Sequence, residues 1–490
     1  MWTFSIVFGI IAAVLLRSKV IAPKQITFDP DFDSSNGSAQ LWGNRSTSGR
    51  YIDVQAFGLC WGQTLYSGYY HDIDKDVHLF FVYARASENP ETSPLALWTN
   101  GGPGTSGVSL AFSSATGCIL EKTSNGMKLS YKPSDTAKRW NEKVNVIFIE
   151  QPIGTGFSYG SGPSADDTRI GAEDIYNFIQ IVLSRHPHIP NVSFHSLSYG
   201  GHFVPEWANK VIEENARVRQ TGESNEHIIP LNRVTMGNAW FGNDEQYLSL
   251  FDTLCEDEPY IGGPPDPLLP QSDCTRVSAN RAVCANLLHQ CRNHSQESCG
   301  AAYMWCWAAV RYHFKLSGRT MYDLSAVSKE MEAYDTYPQL TEYLNLRTVQ
   351  VALGVIGPDE PMPRKWEYFN QSVSVLHLLA GDHARPTDGL LPKLVEAGID
   401  ILLYVGTLDL SCNFRGARKL IASHNLVEKN IPEDFKEWKQ GVGRYICSEG
   451  RKSGIGTFCY LEIDGAGHGL AYEYEGWGDI FQNWVVQGSL

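Results

Sequence analysis

Several features that would place this sequence in a familiar functional class are missing from it. Basic residues are fewer than acidic ones, 40 against 54, and they form no basic stripe, which argues against nucleic acid as a partner. No two cysteines have the C-x-x-C spacing of a zinc site, and we expect no metal or other cofactor. No apolar run is long enough to cross a membrane comfortably, so no stable membrane span is expected. What is left is an acidic globular protein of 490 residues, long enough for one large domain or two to three smaller ones.

An apolar run at the N-terminus, Phe4–Leu16, is followed by Arg17 and Lys19. At about 1.5 Å per residue it is too short for a transmembrane helix and is typical of a secretory signal peptide, which we predict over residues 1–20. An uncleaved anchor is the alternative, since no basic residue precedes the run and no clean A-x-A cleavage site follows it. Residues 21–50 are polar and rich in Ser, Gly and Asn, so they are predicted to form a loose N-terminal arm.

Cysteines and glycosylation motifs agree with passage through the secretory pathway. Six of the 11 cysteines crowd into one region without zinc spacing, and disulfides are expected among Cys255, Cys274, Cys284, Cys291, Cys299 and Cys306. Their pairing stays open. Cys447 and Cys459 bracket a polar segment and could close a hairpin-like loop, while the odd total leaves at least one thiol unpaired within the chain. Asn-x-Ser/Thr motifs predict glycosylation at Asn36, Asn44, Asn191, Asn293 and Asn370. We expect an extracellular, vacuolar or lysosomal location.

Hydrophobic periodicity predicts an α/β fold. Short buried-looking strands alternate with helical segments, which is typical of a mostly parallel sheet with helices on both faces. The predicted strands are 78–83, 94–98, 144–149, 191–195, 401–405 and 457–463, and the predicted helices are 170–184, 203–212, 392–397 and 480–486. Residues 241–345 interrupt this pattern with the cysteine cluster. We therefore expect a core of 51–240 and 346–490 with a disulfide-stapled cap inserted in it. The aromatic run Ala301–Phe314 either packs the cap onto the sheet or lines a pocket.

The segment around Ser198 has the features of a nucleophile elbow. A short strand precedes it, and apolar residues four apart from Phe203 onward predict a helix after it. Pro205 is expected near the helix start, where its missing N–H does no harm. The turn Ser196–Gly200 would place the Ser198 hydroxyl beside a helix N-terminus, which favours developing negative charge. The usual motif is G-x-S-x-G, and its first glycine is Ser196 here, so an ordinary turn is the alternative for this motif alone.

Three polar residues follow the carboxyl ends of predicted parallel strands: Ser198, Asp409 and His468. Open α/β sheets form their sites at that edge, and the order Ser, acid, His is that of α/β-hydrolases. In such a triad the His accepts the serine proton and returns it to the leaving group, while a buried carboxylate orients the imidazole ring. Taken singly, His468 could be an ordinary loop histidine and Asp409 a turn or cap residue. Their agreement in order and position predicts a catalytic triad.

Acyl transfer also needs backbone N–H donors for the developing oxyanion. The Tyr199 N–H, directly after the serine, is one predicted donor. The loop Asn100–Gly104 follows another predicted strand, and its glycines let the backbone approach a substrate. We assign the second donor to Gly102.

Together these motifs resemble the serine carboxypeptidases from about residue 60 to 485. The resemblance rests on Tyr66–Tyr69, Leu97–Gly104, Gln151–Tyr159, Ser198–His202, Ala380–Asp382, Asp409 with Cys412–Asn413, and Ala466–His468. It implies an α/β-hydrolase with a cap insertion that releases C-terminal residues through an acyl-enzyme and needs no metal. It also implies the triad above, contacts from Asn100 and the loop amides, including Gly101, to the substrate carboxylate, and a thiol, Cys412, near the substrate pocket. Cys412 is therefore the expected unpaired cysteine.

The sequence departs from the family where the substrate's terminal carboxylate is bound. The family's elbow usually has Glu before the serine, and Leu197 stands there in this chain. A second Glu, which would be its partner, is missing near residues 113–115, where no carboxylate exists. Thr105 replaces a common cysteine, so one disulfide between cap and core is expected to be absent. Gly469, followed by Leu-Ala, replaces a bulky residue and Val-Pro, which would reshape the leaving-group pocket.

Loss of both carboxyl groups changes the expected pH dependence. Two carboxyl groups in contact share a proton, and carboxylate recognition weakens as that proton is lost. We expect this protein to lack that dependence, and to be a poor carboxypeptidase or to accept esters and amides. Three functions therefore compete: a serine carboxypeptidase acting on peptide or small acyl substrates, a carboxypeptidase-like acyltransferase or esterase/amidase, and a catalytically silent binding protein.

Overall fold

The computed structural model describes residues 40–44, 49–60, 63, 65–123, 126–132, 138–222, 226–255, 268–293, 296–315, 317–325, 338–360, 364–428, 430–450, 454–469 and 476–490. The predicted signal peptide and Asn36 lie outside these residues. Of the helices within these ranges, none combines the length and the apolarity that a bilayer span requires.

A large mixed sheet forms the centre of the described structure. In chain order the strands are β1 (Gln40–Asn44), β2 (Arg50–Phe57), β3 (Leu65–Asp72), β4 (Val77–Ala84), β5 (Leu95–Thr99), β6 (Cys118–Thr123), β7 (Gly126–Tyr131), β8 (Asn145–Ile149), β9 (Tyr159–Gly160), β10 (Val192–Leu197), β11 (Leu231–Gly237), β12 (Asp400–Gly406), β13 (Lys436–Trp438), β14 (Gly443–Cys447) and β15 (Phe458–Ile463). The sheet order is β1-β2-β3-β4-β8-β5-β10-β11-β12-β15-β14-β13, with β9 beside β4, while β6 and β7 form a separate hairpin.

The predicted α/β-hydrolase fold class is confirmed. The strands from β8 through β5, β10, β11 and β12 to β15 are parallel, and both edges of the sheet are antiparallel. Every residue of β5, β8, β10, β12 and β15 is buried, because helices cover both faces of the parallel part. The carboxyl ends of these strands therefore meet at one edge, where the predicted site residues follow β5, β10, β12 and β15.

Helices cover the two faces and build the cap. They are α1 (Thr168–Arg185), α2 (Gly200–Thr221), α3 (Asp244–Cys255), α4 (Gln271–Asn293), α5 (Gln296–Lys315), α6 (Pro338–Leu344), α7 (Arg347–Ala352), α8 (Gln371–Leu379), α9 (Leu390–Glu396), α10 (Phe414–Ser423) and α11 (Trp477–Gln487). Shorter 3₁₀ turns occur at Val108–Phe112, Pro163–Ala165 and Asp382–Ala384. The start of α1 is capped by the Asp167 carboxylate, which accepts the Arg169 and Ile170 N–H groups.

The loose arm predicted for residues 21–50 does not extend over residues 40–44. These residues form β1, which pairs antiparallel with β2 at the edge of the sheet. Trp42 is only 7% exposed and packs edge-on against His186, with ring centroids 5.1 Å apart. The polar composition of the arm hid this strand, because one buried tryptophan is enough to anchor a short edge strand.

Pro205 lies inside α2 and not at its start, because the helix begins at Gly200, earlier than predicted. A proline here removes the N–H that would bond the Gly201 carbonyl one turn earlier. The Thr387 hydroxyl donates to that carbonyl at 2.7 Å and replaces the missing donor. A side chain distant in sequence thus permits a proline inside the helix that follows the elbow.

The predicted disulfides of the cysteine-rich region are confirmed. The pairs there are Cys255–Cys274, Cys284–Cys306 and Cys291–Cys299, and they staple α3, α4 and α5 together. The predicted pair Cys447–Cys459 links β14 to β15, and Cys412 is the free cysteine, also as predicted. The fifth pair, Cys60–Cys118, was not predicted. All 11 cysteines are described, and no disulfide joins residues 241–345 to the rest of the chain.

Candidate active site

Ser198 lies on a tight turn between β10 and α2. Its φ is +62°, a left-handed conformation that costs a non-glycine residue about 1–3 kcal/mol. Two hydrogen bonds hold the turn: the Ser198 N–H donates to the Gly237 carbonyl at 2.8 Å, and the Trp240 N–H donates to the Ser198 carbonyl at 2.7 Å. This strained strand-to-helix turn has the geometry of a nucleophile elbow, which exposes a serine hydroxyl at the top of the sheet.

Ser196, which replaces the first glycine of the usual motif, is accommodated by its neighbours. Its hydroxyl donates to the Thr99 carbonyl at 2.8 Å. A Cβ at Gly200 would lie 2.0 Å from the Ser196 Oγ, so only glycine fits at the first residue of α2. The departure from G-x-S-x-G is therefore compatible with the turn that Ser198 needs.

The structure brings Asp409 and His468 together at the carboxyl ends of β12 and β15. Asp409 is fully buried, and its carboxylate accepts a hydrogen bond from the His468 ring. The Asp409 Oδ2 and the His468 Nδ1 are 2.7 Å apart. Its other oxygen accepts the Cys412 N–H at 3.2 Å. The backbone N–H of His468 donates to the backbone carbonyl of Tyr322 at 2.7 Å. Because Asp409 engages Nδ1, the ring nitrogen left for proton exchange is Nε2.

Asn238 holds the histidine loop and the acid loop together, and the sequence analysis did not find it. Its amide nitrogen donates to the His468 carbonyl at 2.8 Å, and its amide oxygen accepts the Gly406 N–H at 2.8 Å. Asn238 directly follows β11 and has a φ of +39°, which asparagine tolerates better than most residues. The sequence signal that could have identified Asn238 is its position directly after a strand that ends with Met236-Gly.

Cys412 is buried beside the serine, where the family resemblance had suggested a thiol. Its sulfur lies against the hydroxyls of Ser198 and Ser411. Burial, and to a lesser degree the Asp409 carboxylate, raise the pKa of the Cys412 thiol well above its usual range, so the sulfur stays protonated near neutral pH. Asp409, Cys412 and His468 have possible metal-ligating atoms within 4.8 Å of one another. A protonated thiol and an Nδ1 already bonded to the carboxylate make this set a poor metal site, and the expectation that no cofactor is needed stays a prediction.

The glycine loop after β5 lies directly against the elbow. A Cβ at Gly101 would lie 2.4 Å from the Tyr199 nitrogen and 2.7 Å from the Ser198 Cβ, so the close approach requires glycine. Gly102 has a φ of +106°, which also favours glycine. Within the described part of the chain, the N–H groups of Tyr199 and Gly102 donate to no other residue. Both assigned oxyanion donors are thus unengaged within the described residues, and their role stays a prediction.

Asn100 and Leu197, which were predicted to contact the substrate, are buried. Asn100 is 1% exposed, its amide nitrogen donates to the Ser106 carbonyl at 2.6 Å, and its amide oxygen accepts the Trp98 indole N–H at 3.1 Å. Leu197 is 5% exposed and packs in the apolar cluster beneath the glycine loop. Gly469 is buried next to His468, and the Leu-Ala that follows it lies outside the described residues. The substrate roles of Asn100, Gly101, Leu197, Cys412 and Gly469 stay predictions.

A buried carboxyl group supports the glycine loop from behind, and the sequence analysis did not identify it. Glu150 is fully buried and accepts hydrogen bonds from the Ser106 hydroxyl at 2.5 Å, the Phe157 N–H at 2.5 Å and the Trp366 indole at 2.8 Å. Burial raises the pKa of Glu150 to about 7, against the lowering effect of these donors. Through its bond to Ser106, two residues after the end of the glycine loop, Glu150 has a structural role in holding this part of the chain in place.

The predicted glycosylation sites differ in how free their amide nitrogens are. The Asn370 nitrogen donates to the Gly154 carbonyl at 2.9 Å, and its oxygen caps α8 by accepting the Ser372 N–H at 3.0 Å. A glycan at Asn370 would have to displace the first bond. Asn293 is exposed at the end of α4, and among the described residues its amide nitrogen bonds the carbonyl and ring of His289 in its own helix. Asn191 is half-buried, and Asn44 lies in β1.

Comparisons with known proteins show to which family the chain is similar. The sequence profile of the family described as serine carboxypeptidase matches residues 60–487. Carboxypeptidase Y homolog A from Arthroderma otae is 31% identical over 431 residues, which cover 85% of this chain and 73% of that protein. Carboxypeptidase Y from Schizosaccharomyces pombe is 30% identical over 442 residues, which cover 87% of this chain but only 41% of that longer protein.

Among solved structures, Kex1Δp, a prohormone-processing carboxypeptidase from Saccharomyces cerevisiae, has a TM-score of 0.65 over 86% of this chain and 91% of its own. At 19% identity this likeness shows a shared fold and no more. The family profile covers most of the chain, and the sequence relatives reach the same family independently. The chain belongs to the serine carboxypeptidase family, whose members are enzymes of the α/β-hydrolase type.

Proposed function

We propose that the protein is a serine carboxypeptidase whose nucleophile is Ser198, whose general base is His468 and whose orienting acid is Asp409. The observation that carries the proposal is the 2.7 Å bond between the Asp409 carboxylate and the His468 Nδ1, at the same sheet edge as the strained turn of Ser198. A buried carboxylate on Nδ1 selects the tautomer whose Nε2 can accept a proton. It also stabilises the imidazolium that forms.

The reaction follows from these positions. The Ser198 Oγ attacks the carbonyl carbon of the scissile bond, and its proton passes to the His468 Nε2. The tetrahedral oxyanion accepts hydrogen bonds from the N–H groups of Tyr199 and Gly102. When the C–N bond breaks, His468 returns the proton to the leaving amine. Water then attacks the acyl-enzyme in the same way, with His468 again accepting and returning the proton, and the acid is released.

Recognition of the terminal carboxylate is the part in which this chain differs from its family. Leu197 places an apolar side chain in the core where the resemblance implies a Glu. The Asn100 amide is engaged inside the protein by Ser106 and Trp98. Hydrolysis of esters and amides therefore remains a second candidate activity at the same serine, and Leu197 is the observation that favours it.

Covalent labelling tests the nucleophile. A fluorophosphonate probe should label the wild-type protein at Ser198, and the Ser198→Ala variant should not be labelled. The Ser411→Ala variant is the matched control, since Ser411 is another serine against the Cys412 sulfur, and it should keep the label. Equal labelling of wild type and Ser198→Ala would refute the assignment of the nucleophile.

Product analysis tests the substrate class. We expect a blocked dipeptide with a free C-terminus, its C-terminal amide and the corresponding ethyl ester all to be cleaved. The ratio of kcat/KM for the peptide to that for the ester should change little between pH 5 and 7, because Leu197 and residues 113–115 provide no carboxyl pair that could lose a proton. A steep loss of peptide affinity over this range, absent for the ester, would contradict this part of the proposal.

An oxidising compartment is the proposed location. Five disulfides use ten of the 11 cysteines, a pattern typical of proteins that fold outside the cytosol. Intact mass measured on protein from its native source, before and after reduction and alkylation, should show five disulfides and a shortened N-terminus. Reduced cysteines in that protein would argue against the secretory pathway.

A further inference from the structure

A cleft in the cap opens next to the candidate histidine. It encloses about 590 Å³, and its walls come from the second half of α5 and from residues 319–322. Tyr322 lines the cleft, and its carbonyl accepts the His468 N–H at 2.7 Å. Met321 also lines it, and its carbonyl accepts the N–H groups of Leu410 and Ser411. The cleft wall is thus bonded to the loops that carry both His468 and Asp409.

The charge of this cleft is opposite to that of the protein as a whole. Arg311, Lys315 and Arg319 line it, although the chain has a net charge of −14. Among the lining residues that the structure describes, none is acidic. No ion pair involves Arg311 or Lys315 within the described residues, and both side chains are exposed. Arg319 donates one guanidinium N–H to the Leu324 carbonyl at 2.6 Å, and no other side-chain bond of Arg319 occurs among the described residues.

The two helical cations are placed at some cost to the fold. Arg311 and Lys315 are four residues apart on α5, so they lie on the same face of the helix. Like charges at this spacing repel each other and destabilise a helix, and the described residues supply no counter-ion. The Arg311 charge lies near the hydroxyls of Tyr303 and Tyr322, where it opposes the rise in pKa that burial of these hydroxyls causes.

Apolar rings complete the cleft. Trp307 and Phe314 line it together with the 41% exposed ring of Tyr322, whose centroid lies 5.1 Å from that of His468. A peptide side chain with a carbon stem and a negative end would contact the rings with its stem and the cations with its end. The geometry points to a carboxylate-binding subsite in the cap: we propose that Arg311 and Lys315 bind a carboxylate of the peptide substrate, replacing the recognition that Leu197 and residues 113–115 do not provide.

This inference rests on the proposed function for the choice of a peptide ligand, and the carboxylate has two possible sources in a peptide. It is either the free C-terminus or an acidic side chain next to the scissile bond. Binding is best measured on the Ser198→Ala background, where no turnover occurs. Titration calorimetry would use three probes: benzyloxycarbonyl-Phe-Leu, benzyloxycarbonyl-Phe-Glu, and benzyloxycarbonyl-Phe-Leu-amide, which has no carboxylate.

The test variant adds Arg311→Gln and Lys315→Gln to that background. The matched control adds Arg185→Gln and Lys393→Gln, which remove two exposed cations from α1 and α9. We expect the test variant to weaken binding of the carboxylate probes roughly tenfold, since it removes charged hydrogen-bond donors whose strength is limited by their exposure to solvent. The control should change Kd less than about twofold, and raising the salt concentration should weaken binding to the unmodified cleft.

The pattern across the probes identifies the source and can overturn the inference. Loss for both Phe-Leu and Phe-Glu, but not for the amide, assigns the cleft to the C-terminus. Loss for Phe-Glu alone assigns it to an acidic side chain. Equal loss for all three probes, no loss for any, or no measurable binding of any probe would refute the subsite. Fluorophosphonate labelling of protein with intact Ser198 tests the proposed function separately, so the two failures are distinguishable.

Discussion

Glu150 makes stability depend on pH in a direction opposite to that of most carboxylates. Its carboxyl group is fully buried behind the glycine loop, and burial raises its pKa to about 7 from an ordinary value of 4.5. The folded protein therefore holds this proton at pH values where the unfolded chain has lost it. The stabilisation is fully present below pH 4.5 and is lost as the pH rises through 7. Glu150→Gln removes the titration and keeps the shape of the side chain.

The magnitude follows from the two pKa values. Between pH 5 and pH 8 the native state should lose about 2–3 kcal/mol of stability through this one group, since each pKa unit corresponds to about 1.4 kcal/mol. In the wild type, one carboxyl oxygen of Glu150 accepts from Ser106 and Trp366, and the other accepts from the Phe157 N–H. Glutamine has only one side-chain oxygen and cannot accept on both sides. One donor then faces an amide N–H, which costs about 1–3 kcal/mol at every pH. The variant should be less stable than wild type at pH 5 and close to it at pH 8.

The assay is urea unfolding with disulfides intact, at pH 5, 6, 7 and 8, after reversibility has been checked. The free-energy difference between wild type and Glu150→Gln should shrink by about 2–3 kcal/mol across this range. Glu396→Gln, an exposed change at the end of α9, is the control for replacing a Glu that is not buried. A constant difference for Glu150→Gln, within about 0.5 kcal/mol, would refute the argument that this carboxyl group is protonated in the folded state.

Three further predictions follow from contacts around the elbow. Asn238→Ala removes the bonds to the His468 carbonyl and the Gly406 N–H. In ester hydrolysis its kcat should be lower by roughly 10–100-fold with little change in KM. An unchanged kcat would show that the two loops are held by other contacts. Gly101→Ala places a methyl group 2.4 Å from the Tyr199 nitrogen. Fluorophosphonate labelling should slow by at least about 100-fold, while the circular dichroism spectrum stays native. Labelling at the normal rate would exclude this part of the loop from the oxyanion site. Thr387→Val leaves the buried Gly201 carbonyl, opposite Pro205, without its donor. The free energy of unfolding in urea should fall by about 1–3 kcal/mol. Thr387→Ser keeps the hydroxyl and should recover most of this loss.

Much of the fold followed from local patterns. The apolar runs of β5, β8, β12 and β15 were found because strands buried on both faces need uninterrupted apolar residues. The edge strand β1 was missed, since a strand at the border of a sheet needs few buried residues, and the buried Trp42 lies in a segment of polar composition. The start of α2 was placed late because Pro205 looked like a helix-start signal, and nothing local shows that Thr387 supplies the missing donor.

By itself, the sequence determined the candidate chemistry of this protein: a serine on a strand-to-helix turn, an acid and a histidine in α/β-hydrolase order, and family motifs along most of the chain. These are local or ordered along the chain, so they can be read without coordinates. Only the tertiary structure decided which groups support them, because those contacts join distant segments. Asn238 bonds a loop 230 residues away, and Glu150 bonds Trp366 across 216 residues. The cleft that Arg311 and Lys315 line is connected to His468 through Tyr322, whose carbonyl accepts the His468 backbone N–H. The burial that raises the pKa of Glu150, and the absence of an acidic partner in the described cleft, arise only when these segments pack.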